Sequence, residues 1–293
     1  MKPIPSLLFI FFINISVFGQ NSLEYTLKKG NIFTIKQNAE QIITQEFEGT
    51  KHEIINKIDG ILEFQVLEKK ENNYKIAFTF KDINLLMTSS IQGELMNVKA
   101  KDFSEEDAQS KIFNSLLDTP VEITLSKTGD IIKVIGGDSL ISKMVDMSGI
   151  EDEFSKNLMT KSLEKDFGSE ALSNNYKQMT FFYPEKQVVI GDTWQNKYSG
   201  KLNTLNTWTL SDITSSNTFI DGKAAVTMNV NEETTSMELT GTQETKIIAD
   251  AASGFIKKME VEGMSQGTST MAHIEGAIIP TSIKSIITYE LIK

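Results

Sequence analysis

One arrangement in this sequence is typical of a catalytic nucleophile, and it is centred on Ser265. Gly263, Ser265 and Gly267 fit the G-x-S-x-G pattern, in which a tight strand-to-helix turn exposes the serine hydroxyl. His273 follows, but no acidic residue lies between Ser265 and His273 to complete a triad in the usual order. The flanking residues predict a strand with a polar edge. A serine hydrolase is therefore the least favoured of three functional hypotheses, and we expect no enzymatic activity.

The residues that could bind a metal are few and dispersed. The two histidines, His52 and His273, lie far apart, and the chain has no cysteine to supply a thiolate. Acidic residues gather at position 102 and at positions 105–107, without the central glycine of an EF-hand loop. Carboxylates in the first turn of a helix stabilise its dipole, and this role accounts for the group. We expect neither a metal nor a cofactor.

The charged residues exclude further classes of function. Every basic residue is lysine, so bidentate guanidinium contacts to phosphate or guanine are not available. The formal net charge of −10 opposes binding to a polyanion, and we expect no nucleic-acid partner. Paired carboxylates for glycoside hydrolysis are not recognisable from sequence, because their pairing is spatial. The chain has only two tryptophans to stack on a sugar, however, Trp194 and Trp208, and both lie in predicted strands.

The first 19 residues have the composition of a secretory signal peptide. Lys2 gives a positive start, an apolar run extends to Phe18, and Val17 and Gly19 occupy positions −3 and −1 of a cleavage site. The run is short compared with the roughly 20 residues of a membrane span, and no cysteine follows it for lipidation. We expect residues 1–19 to be removed, leaving a periplasmic or secreted chain without a transmembrane span.

Strand patterns with a period of two lie on both sides of a central helical region. Apolar and polar residues alternate most clearly from Tyr74 to Phe80. The same alternation recurs in Val121 to Leu125, in Ala224 to Val230 and in Ile283 to Leu291. Asn72-Asn73 and Asp221-Gly222 lie between strand-like runs and predict hairpin turns. This pattern is typical of antiparallel strands with one buried face.

Three segments between about residues 104 and 183 have helical spacing. Ser104 is the predicted N-cap of the first and Asp138 of the second. The third begins near Glu151 and is interrupted at Gly168. The grouping of helices between two sets of strands predicts an α+β fold. We expect a twisted, curved antiparallel sheet, similar to half a barrel, with the helices of residues 104–183 covering one face.

Short sequence echoes predict two related halves. Gly30-Asn31 precedes the first set of strands and Gly191-Asp192 precedes the second, while Thr128-Gly129 and Ser253-Gly254 lie in similar turns. The interpretation is a single β-rich domain over residues 20–293, with pseudo-repeats at 20–137 and 184–293 joined by a helical segment at 138–183. Coincidence is the alternative, because each echo spans only four residues.

Three motifs carry a resemblance to a known family. Residues 30–33 (GNIF), 125–131 (LSKTGDI) and 191–194 (GDTW), together with the leader, resemble an uncharacterised family of exported bacterial proteins known as a domain of unknown function. The resemblance covers most of the mature chain and implies no catalytic residues. At the level of fold, the β-rich pattern is similar to periplasmic lipoprotein-carrier proteins, which implies an apolar cavity between a curved sheet and its helices.

The favoured function is non-enzymatic binding of a lipid or another apolar molecule between helices and sheet. Methionine and phenylalanine suit such a site, although ordinary core packing explains the same residues. The predicted wall residues are Phe78, Phe80, Met144, Phe154, Leu158 and Phe167. The second hypothesis is an envelope structural module that contacts an envelope protein through exposed strand edges and the threonine-rich segment from Thr234 to Thr245.

Overall fold

A computed structural model describes residues 21–200, 202–232, 235–271 and 277–293. Within these ranges the chain forms twelve strands and four helices. The first six strands are β1 (Ile32–Phe47), β2 (Thr50–Lys69), β3 (Asn73–Ser89), β4 (Gly93–Lys99), β5 (Val121–Ser126) and β6 (Ile131–Ile135). The helices are α1 (Ala108–Asn114), α2 (Gly137–Met147), α3 (Glu153–Phe167) and α4 (Ser169–Thr180). The remaining strands are β7 (Thr193–Tyr198), β8 (Leu202–Ile213), β9 (Asn217–Asn231), β10 (Thr235–Asp250), β11 (Ile256–Met271) and β12 (Ile279–Leu291).

All twelve strands belong to one antiparallel sheet, which dominates the α+β fold. Its order is β6-β5-β3-β2-β1-β12-β11-β10-β9-β8-β7, and β4 pairs with β3 beside this path. The first and last strands of the chain therefore pair in the middle of the sheet, with Ala39 opposite Ile287. The edges β6 and β7 are not paired with each other in the described ladders, so the sheet is open.

Helix α4 contacts both edges of the sheet. On the β6 side, Lys177 forms an ion pair of 2.9 Å with Asp130. On the β7 side, the Asn196 amide donates to the carbonyl oxygen of Phe181, directly after the helix, at 2.6 Å. A flat sheet of this order would hold its two edges far apart. The sheet must therefore curve until both edges reach α4, and the helix occupies the opening that strand pairing leaves.

One continuous hydrophobic core joins the sheet to the helices. It contains Leu140 and Met144 of α2 and Leu172 and Met179 of α4 together with the inward residues of the strands. Its centre is aromatic, with the rings of Tyr25 and Tyr183 5.3 Å apart, edge to face. The helices and the sheet therefore share a single interior.

The predicted strands are confirmed, but one predicted turn is wrong. Asp221 and Gly222 lie inside β9, where Gly222 pairs with Trp208 of β8. A Cβ added at Gly222 would lie 2.3 Å from the Trp208 ring, so this glycine makes room for the indole. The predicted turn at Asn72-Asn73 is confirmed, since β3 begins at Asn73. Gly222 acts through a neighbour on another strand, which local sequence does not reveal.

The predicted helices are present, although two predicted caps are wrong. The N-cap of α1 is Asp107, because its carboxylate accepts a backbone N–H in the first turn, and Ser104 lies before the helix. Helix α2 begins after Gly136, which has φ 109°, rather than after Asp138. The predicted interruption at Gly168 separates α3 from α4. No helix in the described ranges is both long and apolar enough to cross a membrane.

Candidate functional site

A cavity of about 480 Å³ lies between the inner face of the sheet and α4. One wall comes from β1, β2, β3 and β12, in the middle of the sheet. The opposite wall comes from α4 and from the β7–β8 connection at one end of the sheet. These elements meet because the sheet curves around α4. A void of this size is within the range of about 300–1,000 Å³ that is typical of small-molecule sites.

The apolar part of the cavity wall comes mainly from the central strands. Apolar side chains of neighbouring strands lie side by side on this wall, since Ala39 pairs with both Ile58 and Ile287. The main aliphatic and thioether residues of the lining are Ala39, Ile58, Leu85, Met87, Leu202 and Ile287. This wall can accept an alkyl chain or a similar apolar body.

Neutral amides supply much of the polar lining of the cavity. They come from the central strands and from α4, so they lie on opposite walls. The amide residues of the lining are Gln37, Gln41, Asn56, Asn174, Asn175 and Gln178. Amide side chains can donate and accept hydrogen bonds without carrying charge. The cavity therefore combines an apolar surface with uncharged hydrogen-bonding groups.

The charged residues beside the cavity point away from it. Glu40 and Lys57 contribute to the lining, but each lies between inward residues on its strand. Successive side chains of a strand point to opposite faces. Glu40 and Lys57 therefore project from the outer face, where they form an ion pair of 2.9 Å with each other. Among the described lining residues these two are the only charged ones, so the inward side chains of the cavity are all uncharged.

Two tyrosines of the lining are buried and neutral. Desolvation by burial raises the pKa of both Tyr198 and Tyr289 far above the ordinary value of tyrosine. The Tyr198 hydroxyl donates to the Phe181 carbonyl oxygen at 2.6 Å. Because neither hydroxyl ionises near neutral pH, the tyrosines add polarity to the cavity without adding charge.

The last residue of α4 and the two residues that follow it are held by hydrogen bonds from aromatic side chains. Three consecutive carbonyl groups each accept one such bond. The pairs are Tyr25 to Thr180 at 3.0 Å, Tyr198 to Phe181 at 2.6 Å and Trp194 to Phe182 at 2.9 Å. Two of the donors belong to β7 and one precedes β1. These bonds fix the end of α4, and with it one wall of the cavity.

Four of the six predicted wall residues belong to the hydrophobic core or pack against it, and none of the four lines the cavity. Phe78 and Phe80 share the inner face of β3 with the cavity residues Leu85 and Met87, but they lie under α4, where the Phe78 ring is 4.6 Å from that of Tyr176. Met144 is buried in α2. Phe167, at the end of α3, packs on Phe80 with ring centres 6.2 Å apart. These residues therefore belong to the packed core and not to the lining of the cavity.

Phe154 and Leu158 lie elsewhere, and the prediction that they face the sheet is wrong. Their side chains are 70% and 54% exposed. Helix α3 packs mainly on α2 and α4, and its contact with the sheet is at its C-terminal end, where Phe167 meets Phe80. The earlier part of its apolar stripe, with Phe154 and Leu158, faces solvent. The residues that do line the void were missed. Ile287 and Tyr289 of the lining belong to the alternation predicted from Ile283 to Leu291, which shows their inward face but not the void. The mixed polarity of Gln37, Ala39 and Gln41 does not identify an inner face.

Of the other candidate residues, Ser265 and His52 lie within strands. Ser265 is buried in the middle of β11, paired with Gly241 and Ile283, so the strand-to-helix turn of a nucleophile elbow is absent there. His273, Thr234 and residues 1–20 lie outside the described residues. His52 lies in β2 opposite Gln45. No group of three or more His, Asp or Glu residues in the described part of the chain could hold a metal ion.

The fold and the site define an α+β protein with one open antiparallel sheet and, between the sheet and α4, a cavity of mixed apolar and amide lining. A family model matches residues 71–256, more than half of the chain, and its description is a family of unknown function (DUF6263). The chain belongs to this family. The search of curated proteins found no match.

Comparison with solved structures relates the fold to lipovitellin. The structure described as lipid-protein interactions in lipovitellin aligns with a TM-score of 0.50 and 12% identity, over 91% of this chain and 25% of that chain. This chain thus spans about a quarter of lipovitellin, and the likeness concerns the fold alone. DynF from the dynemicin biosynthesis pathway of Micromonospora chersina aligns over 94% of this chain and 85% of its own, at 5% identity. Its TM-score of 0.24 is too low for an inference about the fold.

Proposed function

We propose that this protein is an exported binder of a lipid or another apolar molecule, which it holds without chemical conversion. The observation that carries the proposal is the void of about 480 Å³ between the central strands and α4. Burial of apolar ligand surface there would supply the affinity, at about 25 cal/mol per Å². The curved sheet and the covering helix α4 act as the two walls of the site.

Two further observations support a ligand of this kind. The aliphatic lining residues come from adjacent strands in register, so they form a continuous apolar surface rather than isolated contacts. The fold is also similar to part of lipovitellin, a protein described by its lipid-protein interactions. A fold alone does not fix a function, so the cavity remains the principal support.

The proposal is tested by filling the cavity. Ala39→Phe places a ring against Ile58 and Ile287 on the inner face, and Ala225→Phe places the same ring on an exposed position of β9. Titration with an uncharged fluorescent acyl probe should show saturable binding for the native chain and for Ala225→Phe. Ala39→Phe should weaken that binding at least tenfold. Equal binding by the two variants would exclude this cavity as the site.

The contents of the purified protein provide a second test. Native mass spectrometry should detect a bound mass that is released when the protein is denatured, and solvent extraction should recover an apolar compound. A protein that is empty in both measurements and binds no acyl probe would overturn the proposed function. Export is tested separately: the exported chain should begin at Gln20, as read by N-terminal sequencing.

A further inference from the structure

We propose that the ligand is a fatty-acyl compound, and that its carbonyl oxygen accepts hydrogen bonds from the Tyr289 hydroxyl and the Gln37 amide. The inference rests on the proposed function and adds the chemistry of the polar end of the ligand. Tyr289 belongs to β12 and Gln37 to β1, and both residues line the cavity. Tyr289 is also part of the hydrophobic core, so the two residues mark the place where the cavity meets the core.

The Tyr289 hydroxyl is unpaired and faces the cavity. Tyr289 is only 3% exposed, and its hydroxyl makes no hydrogen bond with the described residues. The hydroxyl is nevertheless not one of the unpaired side-chain atoms that are completely shielded. It therefore keeps some accessible surface, and because Tyr289 is buried and lines the cavity, this surface opens into the cavity. Buried polar groups are normally paired, so a ligand oxygen at this place would satisfy the hydroxyl.

Gln37 lies within reach of the same ligand atom. It is directly opposite Tyr289 in the antiparallel pairing of β1 with β12. Opposite residues on one face of such a pair have Cβ atoms about 4.5–5.5 Å apart. The Gln37 amide also makes no hydrogen bond with the described residues and is not completely shielded. The cavity wall therefore presents two adjacent polar groups that are free to bind a ligand.

Two adjacent donors select an acceptor oxygen. The tyrosine hydroxyl and the glutamine amide nitrogen both donate hydrogen bonds. A carbonyl oxygen has two lone pairs and no hydrogen, so it can accept from both groups without a donor of its own to satisfy. A hydrocarbon would leave both groups unpaired. Burial raises the pKa of Tyr289 far above its ordinary value, so the hydroxyl keeps its hydrogen at neutral and mildly alkaline pH.

The apolar wall begins next to this polar pair. Ala39 and Ile287 are the next inward residues on β1 and β12, and they pair with each other. Two residues along a strand correspond to about 7 Å. An acyl chain that continues from the carbonyl can therefore lie directly on Ala39 and Ile287, with Ile58 beside them on β2. The order of polar pair and apolar wall matches the order of carbonyl and chain in an acyl compound.

The experiment compares three ligands of equal chain length on the full protein: a fatty acid, its methyl ester and the corresponding alkane. Displacement of a fluorescent acyl probe gives the affinities. The acid, the ester or both should bind at least about threefold more tightly than the alkane, and the tighter of the two identifies the source of the carbonyl. Binding of all three ligands with no advantage over the alkane would overturn the inference and leave the proposed function standing. Failure of all three to bind would overturn both.

Variants test the two residues. Tyr289→Phe and Gln37→Leu should each weaken binding of the preferred acyl ligand about threefold to tenfold and leave alkane binding unchanged. Tyr183→Phe is the matched control, because its buried hydroxyl donates to the Gly254 carbonyl oxygen at 2.7 Å and Tyr183 is not part of the lining. This control should leave both affinities unchanged. An equal loss for alkane and acyl ligand would show that the residues only shape the wall, and no loss would show that water satisfies them; either result overturns the assigned role.

A spectroscopic measurement on the native chain needs no variant, so a variant that fails to fold does not prevent the test. The infrared band of an isotope-labelled ligand carbonyl should move to lower frequency on binding, relative to the same ligand in an alkane solvent, because hydrogen bonds weaken the C=O bond. In Tyr289→Phe this shift should be smaller. A bound carbonyl with the frequency that it has in alkane would overturn the inference.

Discussion

Gly129 lies against Thr180 so closely that a Cβ at residue 129 would be 1.8 Å from the Thr180 carbonyl oxygen. Gly129 also has φ 95°, in the left-handed region. It forms the turn between β5 and β6, and Thr180 is the last residue of α4. The same carbonyl oxygen accepts the Tyr25 hydroxyl at 3.0 Å. The turn at the β6 edge and the end of the helix therefore fit together only if residue 129 has no side chain.

Gly129→Ala should destabilise the protein by about 2–5 kcal/mol. The left-handed backbone costs alanine roughly 1–2 kcal/mol, and the overlap with Thr180 adds about 1–3 kcal/mol. Gly191→Ala is the control, because Gly191 has φ 94° and no atom within 4 Å of an added Cβ. Gly191→Ala should therefore be destabilised only by the roughly 1–2 kcal/mol that the left-handed backbone costs alanine. Urea denaturation measures both changes in the free energy of unfolding, and equal losses would show that the contact with Thr180 is unimportant.

The sequence predicted the sheet well because its signal is local. Alternation from Tyr74 to Phe80 needs only a chain with one buried face, and β3 confirms it. The turn predicted at Gly222 failed because the reason for that glycine is the indole of Trp208 on the adjacent strand. The order of the strands, with β1 beside β12, and the position of α4 between the two edges follow from contacts that are distant in sequence. Neither could be read from a local pattern.

The glycines of the sequence echoes occupy corresponding positions. The Gly30 N–H donates to the Val66 carbonyl of β2 at 2.8 Å, and the Gly191 N–H donates to the Leu210 carbonyl of β8 at 2.8 Å. Both glycines have positive φ and directly precede the first strand of a half. From one edge of the sheet to the other, the strands β7 to β12 follow one another in chain order. The strands β1, β2, β3, β5 and β6 come next, also in chain order. These correspondences support the proposal of pseudo-repeats at 20–137 and 184–293.

Tyr25→Phe should cost more stability than Tyr198→Phe. Removal of the Tyr25 hydroxyl takes its donor from the buried Thr180 carbonyl, which corresponds to about 1–3 kcal/mol. The carbonyl of Phe181 accepts from both Tyr198 and Asn196, so Tyr198→Phe leaves it a partner and should cost about 0.5–1.5 kcal/mol. Thermal and urea unfolding of the two variants give the comparison. The opposite ranking would contradict the assigned bonding of the α4 terminus.

The stability of α3 should decrease at acid pH, because the N-cap carboxylate of Asp152 becomes protonated. Hydrogen bonds from the Ser155 hydroxyl and backbone N–H lower the pKa of this N-cap carboxyl in the folded protein. A lowered folded pKa means that the stabilisation is complete above the unfolded value of about 3.9 and is lost as pH falls through the folded pKa. Asp152→Asn keeps a capping side chain that does not titrate. The melting temperature should therefore fall less between pH 7 and pH 3 in this variant than in the native chain. An identical fall in the two proteins would refute the role of Asp152.

The site was harder to predict than the fold, for a physical reason. Phe78 and Phe80 were recognised as inward residues, yet burial alone does not separate core from cavity wall. The actual lining includes Ala39 and Gln41, which have neither strong hydrophobicity nor charge. A void is a property of what several distant elements leave unfilled. Local patterns show which side a residue faces but not how much space lies in front of it.

The length of the ligand chain should control affinity until the cavity is full. Each buried methylene contributes about 0.8 kcal/mol, which corresponds to about a fourfold gain in affinity. A series of monoacylglycerols of increasing chain length, measured by displacement of an acyl probe, should follow this slope and then reach a plateau. Ala39→Phe should reach its plateau at a shorter chain, because its ring occupies space between Ile58 and Ile287. Ala225→Phe should keep the native plateau. A slope that continues without a plateau would indicate adsorption to an open surface, since a cavity of about 480 Å³ has room for only a limited number of methylenes.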